Sequence, residues 1–332
     1  MKCTNKAKAL RSFFIAGFLS IFTIILLSGC TSVPISAEYG SLKLGSSYDV
    51  KPDIGVKAEP YSAGLCIITS DVFGDGELDL EDCESALLID LNNKEAVYAK
   101  NVYERLYPAS LTKIMTALIA IKYGQPDMVL TASENVRVDE AGAQLAGIDP
   151  GDSMTLSQAL RILLLYSAND VAQLIAENIG GTIDEFVYMM NDEPIRLGAT
   201  GTHFVNANGL TDSAHYTTAY DLYLIFNECV KYDEFNEIIQ LQSYDAVYSD
   251  KKGREVSLSF KNTNGYINGS YDPPANVIVL GGKTGTTTAA GHCLILLSKD
   301  INGNPFVSVV LKSDTTDGLY KSMNSLLELE NK

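Results

Sequence analysis

The sequence has few of the residues on which several common classes of protein depend. Lys and Arg total 25 against 41 Asp and Glu, which gives a formal net charge of −16. An acidic chain without a cluster of basic residues excludes nucleic acid as a partner, and it excludes binding to anionic lipid through a polybasic segment. Histidine occurs three times, and neither His-Glu-x-x-His nor the Gly-x-Ser-x-Gly elbow is present. We therefore expect His203 and His215 to support loops rather than to catalyse.

Cysteine is also scarce, and its spacing gives no metal-binding pattern. The six cysteines include no Cys-x-x-Cys pair and no Cys/His ligand spacing, so we expect no metal and no other cofactor. Cys3 lies in a leader segment and Cys30 at its end, which leaves four cysteines in the rest of the chain. An extracytoplasmic location would permit a disulfide between Cys66 and Cys83. Four buried free thiols are the alternative.

Residues 1–29 predict a secretory signal peptide. Four basic residues and no acidic ones accompany the apolar run Ser12–Leu27, which is short for a transmembrane span. The ending Leu27-Ser28-Gly29-Cys30 resembles a bacterial lipoprotein signal, which implies that Cys30 is lipidated and becomes the mature N-terminus. An uncleaved signal anchor is the alternative. Both interpretations place the rest of the chain on the extracytoplasmic face of the bacterial cell membrane.

The rest of the chain divides into a linker and one folded domain. Residues 30–60 are rich in Ser, Gly, Pro and charged residues without apolar periodicity, which predicts a lipid-tethered linker. Residues 61–332 have β-prone runs at both ends and helical segments in the middle. This order predicts an α+β fold in which one mainly antiparallel sheet is built from both ends and flanked by helices, with an adjoining all-helical lobe. The acidic stretch 71–83 lacks the spaced oxygens of a calcium loop and is expected to be solvated.

Ser110-Leu111-Thr112-Lys113 is the first of three short motifs that carry chemistry, and it lies where a predicted helix begins. Residues i and i+3 share a helix face, so Lys113 could take the proton of Ser110, a hydroxyl that needs a base to become nucleophilic. Burial beside another cation would lower the lysine pKa and make that base available near neutral pH. The motif alone is weak evidence for an active site, because Ser249-Asp250-Lys251-Lys252 has the same Ser-x-x-Lys pattern in a polar turn.

Two further motifs follow in order along the chain. Ser167-Ala168-Asn169 falls between two predicted helices, where Ser167 could pass a proton to a leaving group and Asn169 could hold a substrate amide. The same Ser-x-Asn pattern recurs at Ser322-Met323-Asn324, so this motif is also weak evidence by itself. Lys283-Thr284-Gly285 follows an apolar strand and would supply positive charge, a hydroxyl for an anionic group, and room for close backbone approach. Together the motifs predict an acyl-transfer site that only a folded domain can assemble.

The segment Tyr107–Ala117 resembles the nucleophile segment of the D-alanyl-D-alanine carboxypeptidases, the low-molecular-mass penicillin-binding proteins of serine peptidase family S11. The three motif types belong to the serine β-lactamase-like superfamily, and the resemblance covers roughly residues 60–330. It implies a β-lactamase/transpeptidase-like fold with three layers, αβα. Four further stretches match: Leu163–Ala172, Thr202–Leu210, His215–Leu222 and Gly281–Gly291.

The resemblance also implies an activity and a role for each site residue. The chain would be a serine D,D-carboxypeptidase that removes the terminal D-alanine from peptidoglycan stem pentapeptides. Ser110 would form the acyl-enzyme, Lys113 would be its general base, and Ser167 would carry the proton to the departing D-alanine. Backbone N–H groups of Ser110 and Thr286 would form the oxyanion hole. Substrate would be held by Asn169, Lys283 and Thr284.

The implied partners are peptidoglycan stem peptides, β-lactams that acylate and inhibit the enzyme, and the membrane through a lipid on Cys30. No nucleic acid is expected, and we expect a monomer. A D,D-endopeptidase or transpeptidase acting on cross-links is the closest alternative function. A serine β-lactamase is disfavoured because the Glu-x-x-Leu-Asn segment of class A enzymes is absent. A non-catalytic penicillin sensor is disfavoured because Ser110, Lys113, Ser167 and Lys283 are all intact.

Overall fold

The computed structural model of the protein describes residues 66–73, 78 and 80–331, all of which belong to the unit Glu59–Lys332. The predicted signal peptide, the lipidation site Cys30 and the linker 30–60 lie outside the described residues, as do residues 74–77 and 79 of the acidic stretch. Within the described residues, no helix combines the length and the apolar character that crossing a bilayer requires.

The described chain alternates between short strands and helices. Its strands are β1 (Cys83–Asp90), β2 (Glu95–Lys100), β3 (Val129–Thr131), β4 (Ser153–Thr155), β5 (Ser243–Ser249), β6 (Glu255–Lys261), β7 (Ile278–Thr287), β8 (Gly291–Lys299) and β9 (Pro305–Ser313). Its α-helices are α1 (Thr112–Tyr123), α2 (Leu156–Arg161), α3 (Asn169–Gly180), α4 (Ile183–Leu197), α5 (Ala219–Cys229), α6 (Asp233–Ile239), α7 (Gly265–Asn268) and α8 (Thr316–Leu327). Turns of 3₁₀ helix span Ala109–Leu111, Glu134–Val136 and Glu328–Asn331, and a π-helical turn spans Ile162–Tyr166.

A five-stranded antiparallel sheet in the order β2-β1-β9-β8-β7 forms the middle layer. It joins the first two strands to the last three, as predicted for a sheet built from both ends of the domain. The pairing of Leu87 with Val309 and of Thr284 with Leu294 fixes its register. β7 is an edge strand, so one side of its backbone is open to contacts outside the sheet.

Both faces of this sheet are buried, because successive side chains of a strand point to opposite faces. On one face Leu87 packs into the larger core with Ile114 of α1 and with residues of α3, α4 and α5. On the other face Leu88 packs with Met323 of α8. The sheet therefore lies between two helical layers, and the predicted α+β class is confirmed. α1 lies inside the larger core, with all of residues 112–120 buried.

The adjoining lobe is not all-helical, which corrects the prediction. β3, β4, β5 and β6 form a second antiparallel sheet in that order. β3 and β4 are three residues long, too short for a readable alternation of apolar and polar residues. The β5–β6 hairpin joins β4 through the pair Ser153–Ser249 instead of entering the main sheet. Helix α6 gives no clear periodicity in the sequence, because its seven residues span only two helical turns.

The cysteines of the described chain are free thiols. Cys66 and Cys83 are both buried and are not joined, so the alternative of buried free thiols holds instead of the disulfide. Burial raises the pKa of the Cys83 thiol to about 11, which keeps it protonated and unreactive at neutral pH. The other free thiols belong to Cys229 and Cys293.

Candidate active site

The first motif lies on a 3₁₀ turn that leads directly into α1. Ser110 is the middle residue of the turn Ala109–Leu111, and Lys113 lies on the first turn of the helix. Ala109 has a φ of +48°, a left-handed conformation that costs a non-glycine residue roughly 1–2 kcal/mol. Such a conformation persists only where the surrounding structure holds the backbone in place. The residue before the predicted nucleophile is therefore firmly held.

The side-chain nitrogen of the fully buried Lys113 has three oxygen neighbours. It lies 2.9 Å from Ser110 Oγ, 2.7 Å from Asn169 Oδ1 and 2.6 Å from the backbone carbonyl oxygen of Asn208. The two carbonyl oxygens can only accept hydrogen bonds. A neutral amine therefore donates its two hydrogens to them and directs its lone pair at the Ser110 hydroxyl, which donates in return. This is the arrangement that a nucleophile and its base require.

Electrostatics favour that neutral amine. Burial lowers the pKa of Lys113 well below its ordinary value, and the positive charge of Lys283 lowers it further, while Asp170 acts in the opposite direction. Burial also lowers the pKa of Lys283 to about 7. Two lysines buried near each other cannot both carry a proton without a large free-energy cost. Lys113 is therefore available as a base at neutral pH.

The second and third motifs meet through Lys283. Its Nζ donates hydrogen bonds to Ser167 Oγ and to the Thr284 carbonyl oxygen, both at 2.8 Å. Ser167 ends the π-helical turn with a φ of +70°, a left-handed bend that is followed at once by α3. That bend places Asn169 at the first position of α3, where its side chain reaches Lys113.

The third motif lies within the edge strand β7, beside the nucleophile turn. A Cβ atom placed on Gly285 would lie 3.0 Å from the backbone nitrogen of Ser110, so a side chain here would push the strand away from the turn by a few tenths of an ångström. Thr286 follows on the same strand. The predicted oxyanion hole, built from the N–H groups of Ser110 and Thr286, therefore draws on two elements in contact. Thr284 Oγ1 lies 2.7 Å from Thr263 Oγ1.

These groups open onto one cleft of about 600 Å³, a volume typical of sites that bind small molecules. Lys113 and Lys283 are buried and are not among the residues that line the cleft. All seven residues that the sequence predicted for catalysis and substrate binding thus occur at one place, and their roles stay predictions. Those that line the cleft itself are Ser110, Ser167, Asn169, Thr284 and Thr286.

A loop at the rim of the cleft is fastened by one buried carboxylate. Asp170 accepts hydrogen bonds from the backbone N–H groups of Ala146, Gly147 and Ile148, at 3.0, 2.8 and 3.3 Å. The Gln144 carbonyl oxygen accepts from the N–H of the preceding residue of α3 at 2.8 Å. Asp170 therefore fixes the rim, which includes residues 140–144, to the helix that carries the second motif.

Sequence reasoning missed three contributors to the site. Asn208 acts through its backbone carbonyl, Asp170 through backbone N–H groups of a distant loop, and Thr263 through one hydroxyl. None of these contacts leaves a pattern in residue types, although the stretches that contain Asp170 and Asn208 matched the family. Within residues 66–73, 78 and 80–331, no group of three or more His, Cys, Asp or Glu side chains could hold a metal ion.

Comparison with known proteins gives the same family as the motifs. A family model described as Peptidase_S11, D-alanyl-D-alanine carboxypeptidase, matches residues 77–315. The D-alanyl-D-alanine carboxypeptidase DacF of Bacillus subtilis is 34% identical over 256 residues, which are 74% of this chain and 61% of DacF. DacA of Escherichia coli is 31% identical over 255 residues, 74% of this chain and 60% of DacA.

The fold also matches a solved structure. The Streptomyces K15 DD-transpeptidase superposes with a TM-score of 0.70 at 25% identity, over 75% of this chain and 97% of that one. The chain spans about three fifths of the length of the curated relatives named above. The family model covers well over half of the sequence, and the three motifs stand in one cleft. The chain therefore belongs to the Peptidase S11 family of D-alanyl-D-alanine carboxypeptidases.

Proposed function

We propose that the protein is a serine D,D-carboxypeptidase that removes the terminal D-alanine from peptidoglycan stem pentapeptides. The observation that carries this proposal is the contact of 2.9 Å between Ser110 Oγ and the buried Nζ of Lys113. Burial and a second lysine lower the pKa of that amine and so favour the unprotonated form, which can take a proton. The proposed substrate is supported by the similarity to DacF and DacA, both of which are named D-alanyl-D-alanine carboxypeptidases.

Acylation begins when Ser110 Oγ attacks the carbonyl carbon of the penultimate D-alanine and transfers its proton to Lys113 Nζ. The negative charge on the carbonyl oxygen is then stabilised by N–H groups of Ser110 and Thr286, a contribution that is usually large. Collapse of this intermediate breaks the peptide bond and leaves an ester on Ser110. Ser167 passes a proton to the amine of the departing D-alanine. Ser167 recovers its proton from Lys113, which is therefore neutral again before water enters, while Lys283 donates to Ser167 and orients its hydroxyl.

Deacylation repeats these steps with water as the nucleophile. Water gives one proton to Lys113, attacks the ester carbon and displaces Ser110, which recovers its proton. Thr284, with Lys283 beside it, binds the terminal carboxylate of the substrate. A β-lactam presents a similar carboxylate and carbonyl, acylates Ser110, and is released slowly because its ring fragment stays attached.

The test compares three substrates with the full chain: a wall pentapeptide, a cross-linked muropeptide dimer and a chromogenic β-lactam. We expect D-alanine release from the pentapeptide, and none from the Ser110→Ala variant, in which the nucleophile is missing. Cleavage of the dimer alone would make the protein an endopeptidase. Rapid β-lactam turnover without D-alanine release would make it a β-lactamase, and stable acylation without any turnover would make it a sensor.

Transpeptidation is the second candidate, because the Streptomyces K15 structure that matches over 97% of its length is a DD-transpeptidase. Both reactions share the acyl-enzyme and differ only in whether water or an amine attacks it. Adding a D-amino acid or a glycyl peptide to the pentapeptide assay separates them. The carboxypeptidase proposal requires free tetrapeptide as the main product at millimolar amine, and a main product joined to the amine would contradict it.

We further propose that the chain is a lipoprotein, held through Cys30 on the extracytoplasmic face of the bacterial cell membrane, and that it acts as a monomer. The signal-like segment ending at Leu27-Ser28-Gly29-Cys30 supports the anchor. Metabolic labelling with an alkyne fatty acid should mark the wild type but not Cys30→Ser. An unlabelled wild type that stays in the membrane would favour an uncleaved signal anchor.

A further inference from the structure

The peptide unit that joins Ala109 to Ser110 is held on both of its sides. Its carbonyl oxygen faces Gly209, where an added Cβ atom would overlap it, and it accepts a hydrogen bond from Thr112 Oγ1 at 2.8 Å. Its nitrogen, which belongs to Ser110, faces Gly285 of β7. A trans peptide is planar, with its C=O and N–H pointing in opposite directions. Fixing the direction of the Ala109 carbonyl therefore fixes the direction of the Ser110 N–H.

A chain of hydrogen bonds with a defined polarity leads to this carbonyl. The Val205 backbone N–H donates to His215 Nδ1 at 3.1 Å, so Nδ1 carries no proton and a neutral imidazole carries its hydrogen on Nε2. His215 Nε2 lies 2.8 Å from Thr112 Oγ1 and must donate to it. The Thr112 hydroxyl hydrogen is then left for the Ala109 carbonyl oxygen.

Burial keeps this chain in one arrangement. Thr112 and His215 are at most 1% exposed, so no water competes for their hydrogen bonds. Burial lowers the pKa of His215 to about 4, with Asp212 opposing and His203 adding to the effect. The imidazole therefore stays neutral, and the direction of donation is preserved throughout the neutral range.

We propose that His215 is a positioning residue for the oxyanion hole, acting through Thr112 to hold the Ala109–Ser110 peptide with its N–H turned into the cleft. His215 does not touch the substrate in this scheme. Without the Nε2 donor, the Thr112 hydroxyl can rotate, and the left-handed conformation of Ala109 loses one of the contacts that maintain it. The inference rests on the proposed acyl-transfer function.

The experiment measures acylation of the full chain by fluorescent penicillin at saturating concentration, recording the first-order rate constant and the amplitude separately. A loss of folded protein lowers the amplitude, whereas a misdirected N–H lowers the rate constant. The variants are His215→Leu, which has no donor, His215→Gln, whose Nε2 can still donate, Thr112→Val, and the double variant His215→Leu/Thr112→Val. His203→Gln is the control from the same loop, because His203 contacts the Ala214 carbonyl instead.

We expect His215→Leu and Thr112→Val each to slow acylation by roughly 10-fold to 100-fold, since removal of an entire oxyanion-hole donor costs about 100-fold to 1,000-fold. His215→Gln and the control should stay close to the wild-type rate, and the double variant should be no slower than the slower single variant. A wild-type rate constant in either Thr112→Val or His215→Leu would overturn the inference, as would an equal loss in His215→Gln. If penicillin does not acylate the wild type, the result would instead contradict the proposed function itself.

Discussion

At the level of single residues, the candidate site works against the stability of the fold. Lys113 and Lys283 are buried to 1% exposure or less, and burial disfavours the charged form of each amine. Ala109 and Ser167 both hold left-handed conformations. These features give the site a base near its nucleophile, at a cost that the cores above and below the sheet must offset.

Lys283→Met should therefore raise the stability of the protein while it abolishes acylation. The pKa of Lys283 falls from an ordinary 10.5 to about 7, a shift that corresponds to about 5 kcal/mol of destabilisation. Because hydrogen bonds to Ser167 and Thr284 are lost as well, we expect a net gain of about 1–2 kcal/mol. Chemical denaturation at pH 6.5 and pH 10 measures this gain.

The gain should depend on pH in one direction. Because the folded-state pKa is depressed, the wild type is penalised fully below pH 7 and progressively less as the pH rises toward 10.5. The advantage of Lys283→Met must therefore shrink at alkaline pH. Lys122→Met is the matched control, since Lys122 pairs with the buried carboxylate of Glu193. Loss of this ion pair should destabilise the protein by about 3 kcal/mol. A Lys122→Met variant that is more stable than the wild type would contradict this reasoning.

Glu330 provides an independent test of how burial acts on a carboxylate. It is buried beside Ser298, which donates to its Oε1, while its Oε2 has no partner among the described residues. Burial raises the pKa of Glu330 to about 7. The folded state therefore binds more protons than the unfolded state between about pH 4.5 and 7, and this group lowers stability as the pH rises through that window.

Glu330→Gln should remove this loss, because glutamine does not titrate. Relative to the wild type, the variant should gain about 3 kcal/mol between pH 4.5 and pH 8, measured by urea unfolding at both values. The exposed Glu328, two residues away, gives the control variant Glu328→Gln. A similar gain in the control would assign the effect to general charge rather than to burial.

At the level of elements, the site depends on three segments whose backbones contact one another directly, with no side chain between them. The nucleophile turn lies between the loop that carries Gly209 and the edge of β7 at Gly285. The absence of a Cβ at both positions allows backbone to approach backbone. The distance between these backbones therefore depends on the two glycines, and a methyl group at either position would push the backbones apart.

Gly209→Ala should destabilise the protein and slow acylation together. The φ of Gly209 is +87°, and an added Cβ would overlap the Ala109 carbonyl oxygen. Gly181 is the matched control, because its φ is +75° but nothing lies within 4 Å of an added Cβ. We expect Gly181→Ala to cost about 1 kcal/mol from backbone conformation alone, with acylation unchanged. Equal effects of the two substitutions on melting temperature and acylation rate would contradict the packing argument.

Elements with a clear periodicity or capping signal could be predicted from the sequence. The apolar periodicity of residues 170–179 predicts α3, and Thr182 and Thr218 predict the starts of α4 and α5 as capping residues. In the structure both threonines accept a hydrogen bond from a backbone N–H in the first turn of their helices. β3 and β4 could not be predicted, because three residues carry no readable period. The β-prone runs Ala246–Tyr248 and Glu255–Lys261 predict the two strands of the β5–β6 hairpin. The prediction of one sheet placed them in the wrong sheet, since pairing partners are set by tertiary contacts.

At the level of the whole molecule, the order of the three motifs contained more information than their spelling. Two of them recur elsewhere in the chain, at Ser249–Lys252 and Ser322–Asn324, and neither copy lies in the cleft. The fold brings Ser110, Ser167 and Thr284 to one cleft from a helix start, an interhelical turn and a strand edge. The roles of Asn208 and His215 could not be predicted, because they arise from backbone and buried contacts that exist only in the folded chain.

The central claim is that Ser110 is the nucleophile and Lys113 its base. The most direct measurement is intact-mass and peptide mass spectrometry of the full chain after incubation with benzylpenicillin. We predict one stoichiometric adduct on the peptide that contains Ser110, formed far more slowly in Lys113→Ala and not at all in Ser110→Ala. An adduct on another residue, or one formed at the wild-type rate in Lys113→Ala, would contradict the account.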